Sequence, residues 1–257
     1  MFLRYFVELS YNGKDYHGWQ QQPNAISVQE VIENALTVLI GDNTTVVGCG
    51  RTDAGVHALQ YYLHFDAAKK IDASKLKYKL NAFLPYSISV HQVFLVMDND
   101  HARFDAVLRS YEYRIYLGKN PFLLDTTWQV QKKIFDLDKM NAASKILYGF
   151  KNFKAFSKTK TDVKTYDCEI SRAEWRIEGD HLTFYITANR FLRNMVRAIV
   201  GTLLDVGNGK TTVGNFREII ENKDRTCAGA SVKAKGLFLS KVEYPERILK
   251  NYNVEGK

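Results

Sequence analysis

The sequence between residues 48 and 58 reads GCGRTDAGVHA, a polar loop with one arginine and one carboxylate among three glycines. A β-branched run at residues 44–47 precedes it and a mostly aromatic or aliphatic run at residues 61–65 follows it, so the loop is predicted to connect two strands. Glycines permit positive φ and close approach to the backbone. Arg51 beside Asp53 would keep that carboxylate ionised, as a nucleophile or general base requires. The loop is therefore a candidate active site, and a surface turn with a weak ion pair is the alternative.

Strand and helix signals surround this loop in the order β-α-β-β-α-β. The first half is predicted to contain a strand at residues 2–9, a helix from its cap at Ser27 to Gly41, the two strands beside the loop, a helix from Asp72 to a stop at Pro85, and a strand at residues 88–96. The second half repeats this order, with strands at residues 111–117, 168–177, 182–188 and 237–244 and helices at residues 138–148, 191–206 and 212–221. The predicted class is α+β, with two such halves, residues 1–105 and 106–257, whose antiparallel sheets meet and leave a central basic cleft.

Length and composition favour a globular protein with a nucleic-acid partner. The chain has 257 residues, 46% hydrophobic composition, and a net charge of +8 from 36 basic and 28 acidic residues. This balance favours a polyanion, and 15 Tyr and 15 Phe residues supply rings of the kind that stack on nucleotide bases. No apolar run approaches the roughly 20 residues of a membrane span, and the N-terminus lacks the features of a signal peptide. A cytoplasmic location without a membrane partner is expected.

The cysteines and histidines do not have the spacing of metal ligands. Cys49, Cys168 and Cys227 contain no CxxC pair and are interpreted as free thiols. The six histidines show no ligand spacing either, so no catalytic metal is predicted. His57 is the one histidine in the loop, and a structural role is favoured for it over a catalytic one.

Arginines occupy one side of the helix predicted at residues 191–206. Arg190, Arg193 and Arg197 fall within a narrow arc at 3.6 residues per turn, and apolar side chains point the opposite way. Gly201 lies on the arginine side, where a glycine inside a helix costs about 1 kcal/mol unless a close approach requires it. The pattern leaves open whether this face meets a ligand or is an ordinary solvated surface.

Two further segments combine aromatic and basic residues. Alternation places Tyr111 and Tyr113 on one face of a strand, where a ring would either stack on a base or pack in the core. Residues 150–160 read FKNFKAFSKTK, and their phenylalanines are predicted to lie in the core. Their lysines are predicted to face phosphates or solvent.

Taken together, these motifs resemble those of the tRNA pseudouridine synthase A family. GRTDAGVHA is similar to the catalytic loop of that family, and YNG at residues 11–13 with GWQ at 18–20 resembles its N-terminal signature. Further matching segments are HARF at residues 101–104, RSYEY at 109–113, FLRNMVR at 191–197 and GL at 236–237. The chain departs from the family pattern at Asn12, usually Asp, at Gln60-Tyr61, usually Gly-Gln, and at Lys233, usually Pro.

The resemblance implies a cofactor-free isomerase, working as a homodimer, that converts uridines at positions 38 to 40 of the tRNA anticodon arm to pseudouridine. By position, it makes Asp53 the nucleophile and Arg51 the residue that fills the space of the flipped base. It also implies that Tyr111 stacks on the target uracil and that Arg197 pairs with the nucleophile. The arginine arc adds Arg190 and Arg193 as expected tRNA contacts.

Two other classes of function fit parts of the pattern. A non-catalytic RNA-binding protein would explain the repeated halves and the basic charge, but the chain shows no aromatic RNP1 string, and the Asp53 loop would have no purpose. A nucleosidase would explain a carboxylate near a ribose. It normally needs a second carboxylate as an acid, and none lies near the loop in sequence. Product analysis separates these classes, because pseudouridine has the mass of uridine whereas a nucleosidase releases free base.

Overall fold

In a computed structural model of the protein, which describes residues 2–131, 134–159 and 163–250, the chain divides into two units. The first unit comprises Met1–Leu108 and Leu239–Lys257, and the second comprises Arg109–Phe238. Within the described residues, the first unit holds β1 (Leu3–Tyr11), α1 (Val28–Ile40), β2 (Val47–Gly48), β3 (His57–Ala67), α2 (Ala73–Phe83), β4 (Ile88–Leu95), most of β9 (Leu237–Glu243) and α6 (Glu246–Leu249). The second holds β5 (Leu108–Tyr116), β6 (Trp128–Gln129), α3 (Leu137–Ile146), β7 (Ile170–Glu178), β8 (His181–Ala188), α4 (Met195–Gly207) and α5 (Val213–Asn222). The domain boundary at residues 105 and 106 remains a prediction.

The first unit is built on an antiparallel sheet. β1 lies between β4 and β3, and β9 follows β3. Val7 of β1 lies opposite Leu63 of β3 on one side and Val93 of β4 on the other. β2 also pairs antiparallel with β3, with Gly48 opposite Leu63. The loop that follows Gly48 therefore connects two paired strands, as predicted, although the first of them is only 2 residues long.

Both long helices of the first unit begin and end where the sequence predicts. The Ser27 hydroxyl accepts a hydrogen bond from the Glu30 N–H at the start of α1, and Gly41 ends this helix with a left-handed φ of 88°. The Asp72 carboxylate accepts one from the Lys75 N–H at the start of α2. α2 packs against β4. The apolar faces of the two helices are buried, with these side chains in the core: Val28, Ile32, Leu36, Leu76 and Leu80.

The second unit has its own antiparallel strands, with β8 between β5 and β7. Tyr111 of β5 and Ala173 of β7 both lie opposite Ile186 of β8. β6 pairs in parallel with β5, and sequence analysis missed it because 2 residues carry no periodicity. α3 packs against β7 and α4, and Met140 and Ile199 of these helices are fully buried.

The start of α4 differs from the prediction. The helix was predicted over residues 191–206 and runs instead from Met195 to Gly207. Asn194 takes a left-handed φ of 66°, which is incompatible with a continuous right-handed helix, so residues 191–194 form a separate turn before it. Arg190 and Arg193, which the sequence had placed on the helix, therefore lie before it, whereas Arg197 stays on it.

The mixture of helices with mostly antiparallel strands confirms the predicted α+β class. Among the helices of the described ranges, none has the length and apolar character needed to cross a bilayer.

Candidate active site

Asp53 lies in the loop of residues 48–58, in a turn that a glycine makes possible. The Val56 N–H donates to the Asp53 carbonyl at 3.1 Å, and Gly55 inside this turn has a φ of 75°. The Asp53 side chain is half-buried, and Arg51 two residues before it is exposed. The loop therefore presents a partly shielded carboxylate and a guanidinium open to solvent.

Arg51 and Asp53 lie two residues apart but do not form the weak ion pair of the surface-turn alternative. None of the ion pairs formed among the described residues joins these two side chains. The residue between them explains the difference, because Thr52 is buried and its carbonyl accepts the Trp19 N–H at 3.2 Å. With Thr52 held inward, Arg51 is left on the solvent side of the loop.

The N-terminal segment at residues 11–20 packs directly against the Asp53 loop. A Cβ on Gly13 would lie 2.0 Å from the Val56 carbonyl oxygen, so only glycine fits there. Gly18 has a φ of 93°, and a Cβ on it would lie 2.5 Å from the Thr52 carbonyl oxygen. The glycines of the YNG and GWQ motifs are thus required by close approach to the loop. The sequence of this segment does not reveal this packing, because it depends on how the segment folds over the loop.

Aromatic rings form the floor beneath the first part of the loop. Trp19 stacks on Tyr61 of β3 with ring centroids 4.1 Å apart, and Tyr11 of β1 contacts both rings. A Cβ on Gly48 would lie 2.1 Å from the Tyr61 hydroxyl oxygen, so Gly48 lets the chain pass over this ring. The Tyr61 hydroxyl donates to the Gly50 carbonyl.

His57 and the remaining glycines have local structural roles. His57 is 1% exposed, and its Nδ1 accepts a hydrogen bond from the Gly13 N–H at 3.0 Å, in agreement with the structural role predicted for it. Of the three glycines that the sequence analysis singled out in the loop, only Gly55 has positive φ. Gly48 is required by close packing, and a Cβ on Gly50 would meet no atom within 4 Å.

Tyr111 lies on β5 in the second unit and is half-buried. Its ring meets the edge of Phe191 at a centroid distance of 5.1 Å and an interplanar angle of 86°. Tyr113, on the same face, is 0% exposed, and its hydroxyl donates to the Lys233 carbonyl at 2.9 Å. Burial raises the pKa of Tyr113 above its usual range. Of the two tyrosines, Tyr113 is a core residue, and Tyr111 keeps part of its surface accessible.

The predicted arginine arc on one helix is wrong. Arg197 lies on α4, whereas Arg190 and Arg193 precede this helix, because Asn194 interrupts the helical geometry. The Arg197 Nε donates to the Val232 carbonyl at 2.7 Å, and Arg197 is half-buried.

Gly201, for which the sequence left a ligand-facing role open, packs against another segment of the chain. A Cβ on Gly201 would lie 1.9 Å from the Ala230 carbonyl oxygen. The close approach that this glycine allows is to the protein's own backbone.

Arg190 and Arg193 precede α4 and keep accessible surface. Arg193 is exposed, and its carbonyl accepts the Lys158 N–H at 3.0 Å. Burial raises the pKa of Cys168 to about 11, and the half-buried Arg190 is near enough to oppose that rise. Lys154 and Lys158 are exposed as well. Exposed cations of this kind suit a phosphate backbone.

The core positions predicted in residues 150–160 are confirmed in part. Phe153 and Phe156 are 0% exposed, and Phe150 is only half-buried. Lys151 is exposed and forms an ion pair with Glu169 at 3.5 Å. Residue 160 lies outside the described residues.

The geometry of the loop fits nucleophilic chemistry by a carboxylate. The described residues include no group of three or more His, Cys, Asp or Glu side chains that could hold a metal ion. A half-buried aspartate on a loop with fixed neighbours is suited to attack an electrophilic carbon.

Comparison with known proteins identifies relatives along almost the whole chain. A family model described as tRNA pseudouridine synthase matches residues 9–105 and 143–245. A protein of Bacteroides thetaiotaomicron named tRNA pseudouridine synthase A is 50% identical over 248 residues, which cover 95% of this chain and 92% of that protein. A protein of the same name from Parabacteroides distasonis is 49% identical over 246 residues, with 95% and 97% coverage. One from Bacillus licheniformis is 40% identical over 245 residues, with 94% and 99% coverage.

Proposed function

Because the chain belongs to the tRNA pseudouridine synthase family, we propose that it isomerises uridine to pseudouridine at positions 38, 39 and 40 of the tRNA anticodon stem-loop. The enzyme class is an isomerase, and its substrate is tRNA. The observation that carries the site assignment is the Asp53 loop, in which a half-buried carboxylate lies two residues from an exposed arginine.

Asp53 is the nucleophile in this proposal. A uracil inside an RNA stem exposes neither C6 nor its glycosidic bond, so the nucleotide must first leave the stack. The Asp53 carboxylate then attacks either C6 of the base or C1′ of the ribose. At C1′, the bond to the Asp53 oxygen forms as N1 leaves, and it breaks when C5 of the rotated base attacks C1′. At C6, the adduct with Asp53 forms before the N1–C1′ bond breaks, and it is eliminated after C5 has joined C1′. In both routes C5 loses its proton and Asp53 returns to the free carboxylate.

The exposed position of Arg51 supports its proposed role in base flipping. An extruded base leaves a gap and lost stacking energy in the stem, and a planar guanidinium both fills the gap and stacks. A guanidinium that is ion-paired with a carboxylate on its own loop would first have to break that ion pair. Among the described residues, Arg51 forms no ion pair with Asp53.

Tyr111 and Arg197 complete the proposed site. Tyr111 is proposed to stack on the target uracil, and its half-buried position on β5 supports this role, because the residue keeps part of its surface accessible. Arg197 is proposed to pair with the nucleophile. Its Nε is bound to the Val232 carbonyl, which fixes the plane of the guanidinium.

The tRNA contacts, assembly and location are part of the same proposal. Arg190 and Arg193 are proposed to bind tRNA phosphates, because both keep accessible surface. The enzyme is proposed to act as a homodimer in the cytoplasm, where a tRNA-modifying enzyme meets its substrate.

The experiment that tests this function maps pseudouridine in unmodified tRNA transcripts after incubation with the purified protein. The expected result is pseudouridine at positions 38 to 40 in transcripts that carry uridine there, with no change in RNA mass. Release of free uracil would instead indicate a nucleosidase. Binding of tRNA without either product would indicate a non-catalytic RNA-binding protein.

A further inference from the structure

Arg51 lies between two residues that are tied to buried tyrosines. On one side, the Gly50 carbonyl accepts a hydrogen bond from the Tyr61 hydroxyl. On the other side, the Thr52 hydroxyl is hydrogen-bonded to the Tyr11 hydroxyl at 2.8 Å. The backbone is thus held immediately before and after the exposed arginine, and the second tie is adjacent to Asp53.

Both tyrosines are parts of the sheet and not of mobile segments. Tyr61 is 0% exposed on β3 and Tyr11 is 4% exposed at the end of β1. Their rings contact each other at 5.6 Å, and Trp19 stacks on Tyr61. A buried hydroxyl without a hydrogen-bond partner destabilises the folded protein, so the folded state favours the bonds from these hydroxyls to the loop.

We propose that the hydroxyls of Tyr61 and Tyr11 are positioning groups that hold Arg51 and Asp53 in the geometry needed for uridine isomerisation. The inference rests on the proposed function. Fixing the backbone of a residue costs conformational entropy. With two anchors, the folded enzyme has already lost this entropy before tRNA binds, and a loop placed within a fraction of an ångström reacts faster than a loose one.

The two anchors differ in how readily the sequence reveals them. Tyr11 belongs to the YNG motif, and its bond reaches across 41 positions to Thr52. Tyr61 lies only 11 positions after Gly50, on the strand that follows the loop.

The test is the replacement Tyr61→Phe, which removes one hydroxyl and keeps the ring that stacks on Trp19. We expect the single-turnover rate of pseudouridine formation to fall at least tenfold, while the dissociation constant for tRNA changes less than threefold. Tyr11→Phe should behave alike. Because both bonds restrain one short segment, the double variant should lose less than the product of the two single losses.

The matched control is Tyr5→Phe, since Tyr5 is 2% exposed and its hydroxyl accepts a hydrogen bond from the Ile71 N–H at 2.9 Å. It should lower the melting temperature about as much as Tyr61→Phe does, without lowering the rate. If Tyr61→Phe has a melting temperature as low as that of Tyr5→Phe but keeps the wild-type rate, the Tyr61 hydroxyl only supports the fold, and the proposal is overturned.

Amide hydrogen exchange separates this inference from the proposed function. Exchange at residues 50–53 should be faster in Tyr61→Phe than in wild type and unchanged in Tyr5→Phe. If wild type forms no pseudouridine, the proposed function fails, yet this measurement still decides whether Tyr61 restrains the loop. Unchanged exchange in Tyr61→Phe would refute the restraint itself.

Discussion

Replacement of Asp53 by asparagine removes the charge of the proposed nucleophile and keeps nearly the same shape. We expect Asp53→Asn to bind tRNA within about tenfold of wild type, a change of about 1.4 kcal/mol or less. Turnover should fall by several orders of magnitude, because an amide cannot form the covalent intermediate. The measurement is tritium release from C5-labelled uridine in tRNA under single-turnover conditions, beside a binding titration.

The control for this variant is Asp42→Asn, which changes an exposed aspartate elsewhere in the first unit. It should leave both rate and affinity unchanged. A rate near wild type for Asp53→Asn would show that the catalytic assignment is wrong. Complete loss of binding would show instead that Asp53 holds the loop together.

Tyr111 allows a second test at the residue scale. We expect Tyr111→Ala to lose most of its activity with the fold intact, because stacking on a base is worth about 1 to 3 kcal/mol and also orients the ring. Tyr111→Phe separates stacking from the hydroxyl, since an unchanged rate means that the ring suffices. Single-turnover rates and circular dichroism give the two readouts.

Tyr116→Ala is the control on the same strand, because Tyr116 is also half-buried and its ring packs against His181 at 5.1 Å. Its activity should stay close to wild type. Normal activity of Tyr111→Ala would reject both the stacking role and a role for its hydroxyl.

The candidate loop of residues 48–58 stands out in the sequence, but the contacts that hold it do not. Asp53 and Arg51 stand out because a charged pair among glycines is unusual between two strands. The bond from Tyr61 to Gly50 could not be predicted, because it depends on the register of β2 and β3 and on the way the loop folds over the ring. The outward position of Arg51 likewise depends on Thr52 being bound by Trp19.

At the scale of elements, His64 of β3 anchors the HARF turn and couples its stability to pH. Its Nδ1 accepts the Ala102 N–H at 3.0 Å, and its ring contacts that of His101. Burial, together with the charges of Arg4 and His101, lowers the pKa of His64 to about 4 from an ordinary 6.5. As the pH falls from 6.5 to 4, His64 is therefore protonated in the unfolded chain but stays neutral in the folded chain.

The stability of the protein is expected to be greatest above pH 6.5 and to fall as the pH drops toward 4. Each proton taken up only on unfolding contributes about 1.4 kcal/mol per pH unit to the slope. His64→Asn, whose amide oxygen can accept the same hydrogen bond, should show a smaller slope in urea unfolding over this range. His91→Gln, at an exposed position, should keep the wild-type slope. Equal slopes in wild type and His64→Asn would contradict this assignment.

The turn before β9 gives a second prediction at this scale. Lys233 has a φ of −60°, within the range that proline fixes, and no described backbone hydrogen bond uses its N–H. We expect Lys233→Pro to raise the free energy of unfolding by about 0.4 to 1 kcal/mol, because proline restricts the unfolded chain. Thermal unfolding measures the effect. Lys233→Ala removes the same side chain without that restriction, so a stability gain shared by both variants would refute the explanation.

Periodicity and caps predicted most elements, and local backbone geometry accounts for the errors. α1 and α2 were predicted closely because Ser27, Asp72 and Gly41 carry their signals in single residues. The start of α4 was predicted too early, because the left-handed Asn194 interrupts a run of residues whose apolar spacing stays helical. The placement of β9 beside β3 depends on strand pairing, which periodicity does not contain.

At the scale of the whole molecule, the net charge of +8 sets the expected interaction with tRNA. Log affinity should fall linearly with log salt, since each phosphate neutralised by a cation releases condensed counterions. The exposed Arg193 and Lys158 lie side by side through the hydrogen bond from the Lys158 N–H to the Arg193 carbonyl. Arg193→Ala should reduce the salt slope by about one or less, and the double variant with Lys158→Ala by up to about two.

Lys151 provides the matched control for this prediction, because it is an exposed lysine of the same unit that is paired with Glu169. A phosphate would have to replace that carboxylate, and the gain in released counterions would be small. Lys151→Ala should therefore change the slope less than Arg193→Ala does. The measurement is a tRNA titration at several salt concentrations. An affinity that does not depend on salt would refute the electrostatic account. Equal slope changes for Lys151→Ala and Arg193→Ala would assign the effect to total charge, because a specific phosphate contact at Arg193 requires the two variants to differ.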